Sequence, residues 1–223
     1  MAMRIPLDLR LSAIVDPERA GGHGLVDLAR RIAEGGATLV QLRDKQGETR
    51  AMVEAARAIK VTLKPLHVPF VVNDRVDVAL AAGADGVHLG PEDMAVEDAR
   101  RLLGPDALIG MSIKGVDEAE AAPLELINYA GIGGVYATAS KEQGRPPIGT
   151  DGFARIAAVL RRRAPDLPLC GIAGIDKSNA GAVIAAGADG IAVISALSLT
   201  ADPAAAAHRL REIVDAMLAK RGT

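Results

Sequence analysis

The sequence predicts an α/β protein built as a single (β/α)8 TIM barrel, and three observations carry the prediction. The hexapeptide Ala-Ala-Gly-Ala-Asp-Gly occurs twice, at residues 81–86 and again at 185–190. Short apolar runs alternate with helix-like segments along the chain, as they do where parallel strands are joined by helices. No Gly-x-Gly-x-x-Gly follows the first apolar run, which counts against an open doubly wound sheet, the competing architecture.

Each copy of the hexapeptide marks a helix-to-strand junction. Helix-like residues 76–82 and 180–186 lead into the copies, and the glycine inside each suits a left-handed helix end. Apolar residues 87–89 and 191–194 follow as strands. The copies start 104 residues apart (185 − 81), so four units of about 26 residues fit between them. A chain of 223 residues then holds eight such units.

Taken in order, strands are expected at 12–15, 39–43, 70–73, 87–89, 108–112, 130–136, 168–172 and 191–195. Helices are expected between them, notably at 25–34, 49–63, 96–103, 153–163 and 203–220, several with apolar residues at helical spacing. Strict alternation argues for an all-parallel sheet, and eight strands argue for closure. The expected organisation is one domain over residues 1–223, with the active site at the C-terminal ends of the strands. Residues 137–151 form the one long irregular stretch, carrying Lys141, Arg145, Pro146 and Pro147. It is expected as the sixth strand-to-helix loop on the active face, the plainer alternative being a surface loop with no role.

Composition narrows the function classes. The formal net charge is −2 without blocks of like charge, and the aromatic residues are Phe70, Phe153, Tyr129 and Tyr136 alone. Neither an electrostatic footprint nor a stacking platform for nucleic acid is present. No apolar stretch is long enough to cross a bilayer, the N-terminal residues lack the pattern of a signal peptide, and the single Cys170 has no disulfide partner in the chain. A cytoplasmic protein acting on small molecules is expected, with no nucleic acid or membrane partner; a homo-oligomer is compatible with everything in the sequence.

Within the second strand Gln41, Arg43 and Lys45 alternate with Val40 and Leu42, so the three polar side chains share one face and two cations stand at its C-terminal end. Paired Arg and Lys suit a phosphate or diphosphate, whereas a purely structural role in the barrel interior is the alternative. The third strand ends in Asn73-Asp74, and Asp93 lies in the loop after the fourth. Two carboxylates from neighbouring strand ends suit Mg2+ shared with phosphate oxygens; alternatively Asp74 and Asp93 cap the helices that follow. The four histidines, His23, His67, His88 and His208, have no zinc-ligand spacing, and Cys170 is expected as a buried thiol. Gly174, after the seventh strand, and Ile194-Ser195, ending the eighth, lie where barrels often bind phosphate through backbone N–H groups. A glycine needed only for a tight turn is the alternative at Gly174.

Seven segments in order, Val40-Gln-Leu-Arg-Asp-Lys45, Val72-Asn-Asp-Arg75, Gly86-Val-His-Leu-Gly90 with Asp93, Gly110-Met-Ser112, Tyr136-Ala-Thr-Ala-Ser-Lys141, Gly171-Ile-Ala-Gly-Ile175 and Ala188-Asp-Gly-Ile-Ala-Val-Ile-Ser195, together resemble the thiamine-phosphate synthase family. The resemblance implies that Gln41, Arg43, Lys45, Asn73, Ser112 and Lys141 bind hydroxymethylpyrimidine diphosphate, and that Asp74 and Asp93 bind magnesium. It implies that Thr138, Ser140, Gly174, Ile194 and Ser195 receive a thiazole phosphate, with Arg43, Lys45, Ser112 and Lys141 serving the chemistry. The implied reaction is ionisation of the pyrimidine-methyl diphosphate, then capture of the cation by the thiazole nitrogen. Four positions depart from the family's usual pattern: Pro91 replaces a common glutamine, Lys114 a histidine, Ser140 a threonine, and Ser12 an aromatic residue. Two alternatives share the fold, a thiazole tautomerase and a non-catalytic phosphate-binding regulator. The tautomerase would want a base near Ser112-Ile113-Lys114, and the regulator would lack the aspartates or the Lys141 loop.

Overall fold

The structure, a computed structural model, describes residues 7–139 and 145–222. Eight strands form a closed parallel barrel: β1 (Leu11–Val15), β2 (Leu39–Leu42), β3 (Phe70–Asn73), β4 (Gly86–Leu89), β5 (Leu108–Ile113), β6 (Tyr129–Gly133), β7 (Leu169–Ile172) and β8 (Gly190–Val193). Each pairs with its sequence neighbours, and β8 closes on β1 through Ser12 opposite Ala192. Around the barrel run α1 (Leu25–Glu34), α2 (Thr49–Leu63), α3 (Val76–Ala82), α4 (Val96–Leu103), α5 (Val116–Ala121), α6 (Gly149–Arg163), α7 (Ala180–Ala185), α8 (Ser195–Ser198) and α9 (Pro203–Arg221).

Alternation along each strand sorts side chains between two cores. Val40, Leu42, Val72, Val87, Ile109, Ile132 and Val193 point outward under the helices, where each buried side chain contributes roughly 1.5–3 kcal/mol. Ile14, Leu39, Val71, Leu108, Tyr129, Cys170 and Ala192 point inward and fill the barrel. The helices answer with one apolar face: α1 buries Leu28, Ala29, Ile32 and Ala33, and turns Arg30 outward to Asp27 and Glu34.

The repeated hexapeptide has a specific task at the bottom of the barrel. Its aspartates, Asp85 and Asp189, stand immediately before β4 and β8. Asp85 donates its backbone N–H to the Phe70 carbonyl (2.8 Å) and accepts the Phe70 N–H on its carboxylate (2.7 Å). Asp189 treats Leu169 in the same way, at 2.8 Å for both bonds. Asn128 before β6 does this to Ile109, and Thr38 before β2 does it to Leu11. Three of the four acceptors are also held by a cation from the helix that precedes the strand they clamp: Lys60 on Asp85, Arg100 on Asn128 and Arg161 on Asp189. The closing glycine of each copy faces backbone at the start of the next strand or just before it, where a Cβ would collide with the Leu108 and Leu9 carbonyls respectively.

Some boundaries differ from the sequence expectation. The sixth strand ends at Gly133, three residues early; beyond it Val135 N–H donates to the Ile172 carbonyl (2.8 Å) and Tyr136 N–H to that of Ala173 (3.1 Å). Helix α6 begins at Gly149 rather than residue 153, since Ile148 and Gly149 dock onto the carbonyls of Gly134 and Val135. Ser195 opens α8 instead of closing β8. Helix α5, with one buried residue in six, has a weak periodic signal, and its bounds are not given by the sequence.

Candidate active site

A cavity of about 450 Å³ opens at the C-terminal mouth of the barrel. Its wall on the β2 and β3 side carries Gln41, Arg43 and Asn73. Gln41 points inward and is buried; Arg43 continues the strand past its formal end by donating its N–H to the Val15 carbonyl (2.9 Å). The Arg43 guanidinium is paired with the carboxylate of Asp16, which lies at the end of β1.

Asp74 follows Asn73 with φ 62°, a left-handed conformation that a non-glycine residue adopts at a cost of about 1–3 kcal/mol. Its N–H donates to the His88 carbonyl (2.8 Å), and its carboxylate takes the Lys45 ammonium. Asp93 folds back to accept the Gly90 N–H (2.6 Å). Burial, and next the adjacent Asp74 carboxylate, hold the Asp93 carboxyl above its ordinary range. Neither aspartate caps the helix after it: α3 starts from Arg75 and α4 from Ala95, both without a side-chain cap bond. Two neighbouring carboxylates, flanked by one lysine, form a donor set that a divalent cation would satisfy. Among the described residues no cluster of three or more His, Cys, Asp or Glu is assembled, so a cation held here would draw its other ligands from substrate oxygens and water.

The floor is built by β4, β5 and β6. His88 lies between the Tyr129 hydroxyl (Nδ1 to Oη, 3.1 Å) and the Ser112 hydroxyl (Nε2 to Oγ, 2.9 Å). Gly110 leaves the space that the Tyr129 ring fills, and Gly131 leaves open the space beside the His88 ring. Opposite, Ala173 (φ 81°) and Gly174 (φ 65°) turn the chain sharply after β7, and the Gly174 carbonyl is held by the Asn179 amide (2.9 Å). A Cβ on Gly174 would stand 2.7 Å from that of Tyr136. Thr138, Ile194 and Ser195 complete this wall.

The fold thus brings Gln41, Arg43, Asn73, Ser112, Thr138, Gly174, Ile194 and Ser195 around one cavity. Lys45, Asp74 and Asp93 adjoin one another but are not among the residues that line it, whereas their chain neighbours Asn73 and Glu92 are. Ser140 and Lys141 lie outside the described residues. Of the departures, Pro91 and Lys114 line the cavity, whereas Ser12 is buried below it in register with Leu39 and Ala192. Ile14, not Ser12, is the β1 residue that meets the cavity. Sequence reasoning passed over His88, Asp16 and Arg145. For His88 the strand alternation was a usable signal, since it places that ring inward; Arg145 lines the cavity and pairs with Glu118 (2.9 Å), which no local pattern announces.

The family model described as thiamine monophosphate synthase matches residues 11–197. A thiamine-phosphate synthase of Agrobacterium fabrum is 49% identical over 215 residues, covering 96% of this chain and 98% of that protein. One of Moorella thermoacetica is 44% identical, covering 92% and 95%. Among solved structures, a thiamine phosphate pyrophosphorylase from Pyrococcus furiosus superposes with a TM-score of 0.82 at 38% identity, covering 95% of this chain and 98% of that one. A 3-hexulose-6-phosphate synthase superposes at 0.61 with 20% identity and shares the barrel alone.

Proposed function

The chain belongs to the thiamine monophosphate synthase family, and from that premise we propose that it joins hydroxymethylpyrimidine diphosphate to a thiazole phosphate, releasing pyrophosphate, with its residues dividing the work as follows. Arg43, Lys45 and Asn73 on the β2 and β3 side receive the diphosphate. The Gly174 turn, Ile194 and Ser195, on the β7 and β8 side of the ring, receive the thiazole phosphate with Thr138. Two anion-suited walls facing each other across one cavity are the observation that carries this reading, because a transfer between two phosphorylated substrates needs both. Lys141 and Ser140 are assigned to the same two groups by resemblance.

The bond that breaks joins the pyrimidine methylene to the diphosphate oxygen, and the electron pair leaves with the diphosphate. Arg43 and Lys45 stabilise that departing charge electrostatically. Asp74 and Asp93 would hold Mg2+, which when bound supplies Lewis-acid stabilisation of the leaving group. Gln41 and Ser112, the latter fixed by His88, hold the pyrimidine so that its methylene faces the thiazole. The thiazole nitrogen then forms the new carbon–nitrogen bond with its lone pair. Holding the two partners in line contributes up to about 7–11 kcal/mol in favourable cases. A single-domain, cytoplasmic, magnesium-dependent transferase is the full reading; among the described residues no helix is long and apolar enough to cross a membrane.

The test is to supply both substrates with and without magnesium and to follow thiamine phosphate and pyrophosphate together. Equal, magnesium-dependent release of the two is expected, and its loss in Asp93→Ala with an unchanged melting curve. Turnover of Asp93→Ala at the wild-type rate would overturn the metal assignment.

A further inference from the structure

We propose that Asp16 is a positioning residue for Arg43, setting the guanidinium before substrate arrives; this rests on the reading of Arg43 as a diphosphate ligand. Asp16 is fully buried, although it lies at the rim-facing end of β1 and is followed at once by the exposed turn Pro17–Arg19. A buried carboxylate requires a partner, and its two oxygens are both engaged. Oδ1 accepts the Glu18 N–H (2.9 Å), and Oδ2 accepts from Nη1 of Arg43.

The backbone fixes the pair. Val15 is in register with Leu42, and the Arg43 N–H donates to the Val15 carbonyl (2.9 Å), so residues 16 and 43 leave adjacent strands side by side. The Arg43 side chain is 12% exposed and lines the cavity. Guanidinium presents five donors in a rigid plane; with Nη1 held by Asp16, the plane is oriented and its remaining donors are available to a phosphate. Capping of the Pro17–Arg19 turn uses only Oδ1 and needs neither burial nor charge, so it leaves the second oxygen unaccounted for. Asp16 touches no reacting atom and acts through Arg43.

Asp16→Asn separates the two roles, since it keeps the cap acceptor, removes the charge and turns an amide donor toward Arg43. Steady-state kinetics would be measured for Asp16→Asn, Arg43→Gln and the double variant, varying each substrate in turn, with inhibition by inorganic pyrophosphate as a second readout. Asp16→Asn is expected to lower kcat/KM for the pyrimidine diphosphate by roughly 10- to 100-fold and to weaken pyrophosphate inhibition, with KM for the thiazole phosphate unchanged. In the Arg43→Gln background it should cost nothing further. Multiplicative losses in the double variant, or an equal effect on both substrates, would overturn the proposal. Near-wild-type kinetics of Arg43→Gln would instead overturn the reading of Arg43, and the proposal with it. Should Asp16→Asn not fold, Asp16→Glu keeps the charge but shifts it by one methylene and is expected to show the same substrate-selective loss in smaller measure; no selective loss would again overturn the proposal.

Discussion

The hydroxyl of Tyr129 stands 3.1 Å from Nδ1 of His88 in the interior of the barrel, directly beneath the cavity. The tyrosine is wholly buried, and burial drives its phenol well above the ordinary range, so it stays protonated. Tyr129→Phe keeps the ring packed against Gly110 while deleting this bond. We expect destabilisation of about 1–3 kcal/mol, the range for losing one member of a buried hydrogen bond, read as a lower denaturant midpoint at unchanged slope. KM for the pyrimidine diphosphate should rise as Ser112 loses its orientation.

Gly174→Ala should separate the two substrates in the opposite sense. The position needs φ 65°, and an added methyl meets Tyr136 and the Ala137 carbonyl. KM for the thiazole phosphate is expected to rise at least roughly tenfold, with a smaller effect on the pyrimidine diphosphate, and stability should fall by about 1–3 kcal/mol. Selective weakening of the pyrimidine diphosphate would place the thiazole phosphate elsewhere.

Asp85, at the opposite end of the barrel, should affect stability and not turnover. Asp85→Ala leaves the Phe70 N–H without its acceptor, at a cost of about 1–3 kcal/mol, while kcat of the folded enzyme stays at its wild-type value. Asp85→Asn should recover most of the loss, because Asn128 already performs this task for Ile109 with an amide oxygen. Thermal melts of the two variants make the comparison.

Cys170 lies in the barrel interior, where burial pushes its thiol up to about 12. In the unfolded chain a thiol ionises near its ordinary value of about 8.5. The folded form therefore favours the proton: this contribution is fully present below about pH 8.5 and is lost as pH rises toward 12, at no more than about 1.4 kcal/mol per pH unit. A disulfide reagent at pH 8 should find no reactive thiol in the native protein and one equivalent in guanidinium chloride. Rapid labelling of the native protein would contradict the burial.

The barrel was legible because its two signals are local: strands buried on both faces are short apolar runs, and the repeated hexapeptide fixes the spacing. Side chains that follow strand alternation, such as Gln41 and Arg43, were readable for the same reason. Asp74 and Asp93 were ambiguous in sequence, since an aspartate before a helix is ordinarily a cap; only the backbone turn at Asp74 and the fold-back to Gly90 set that alternative aside. Asp16, His88 and Arg145 act through partners 27, 24 and 27 residues away, and such pairing has no period to detect.

Because Thr38, Asp85, Asn128 and Asp189 each tie an odd-numbered strand to the even-numbered one after it, the barrel is tiled by four two-stranded modules. Circular permutation should respect those seams. New termini placed between β2 and β3, β4 and β5, or β6 and β7 leave every module covalently whole, whereas termini between β3 and β4 or β7 and β8 make an intramolecular clamp into one that must form between distant chain ends. The first set is expected to refold as fast as the parent and the second more slowly, by the added loop-closure entropy, at nearly equal final activity.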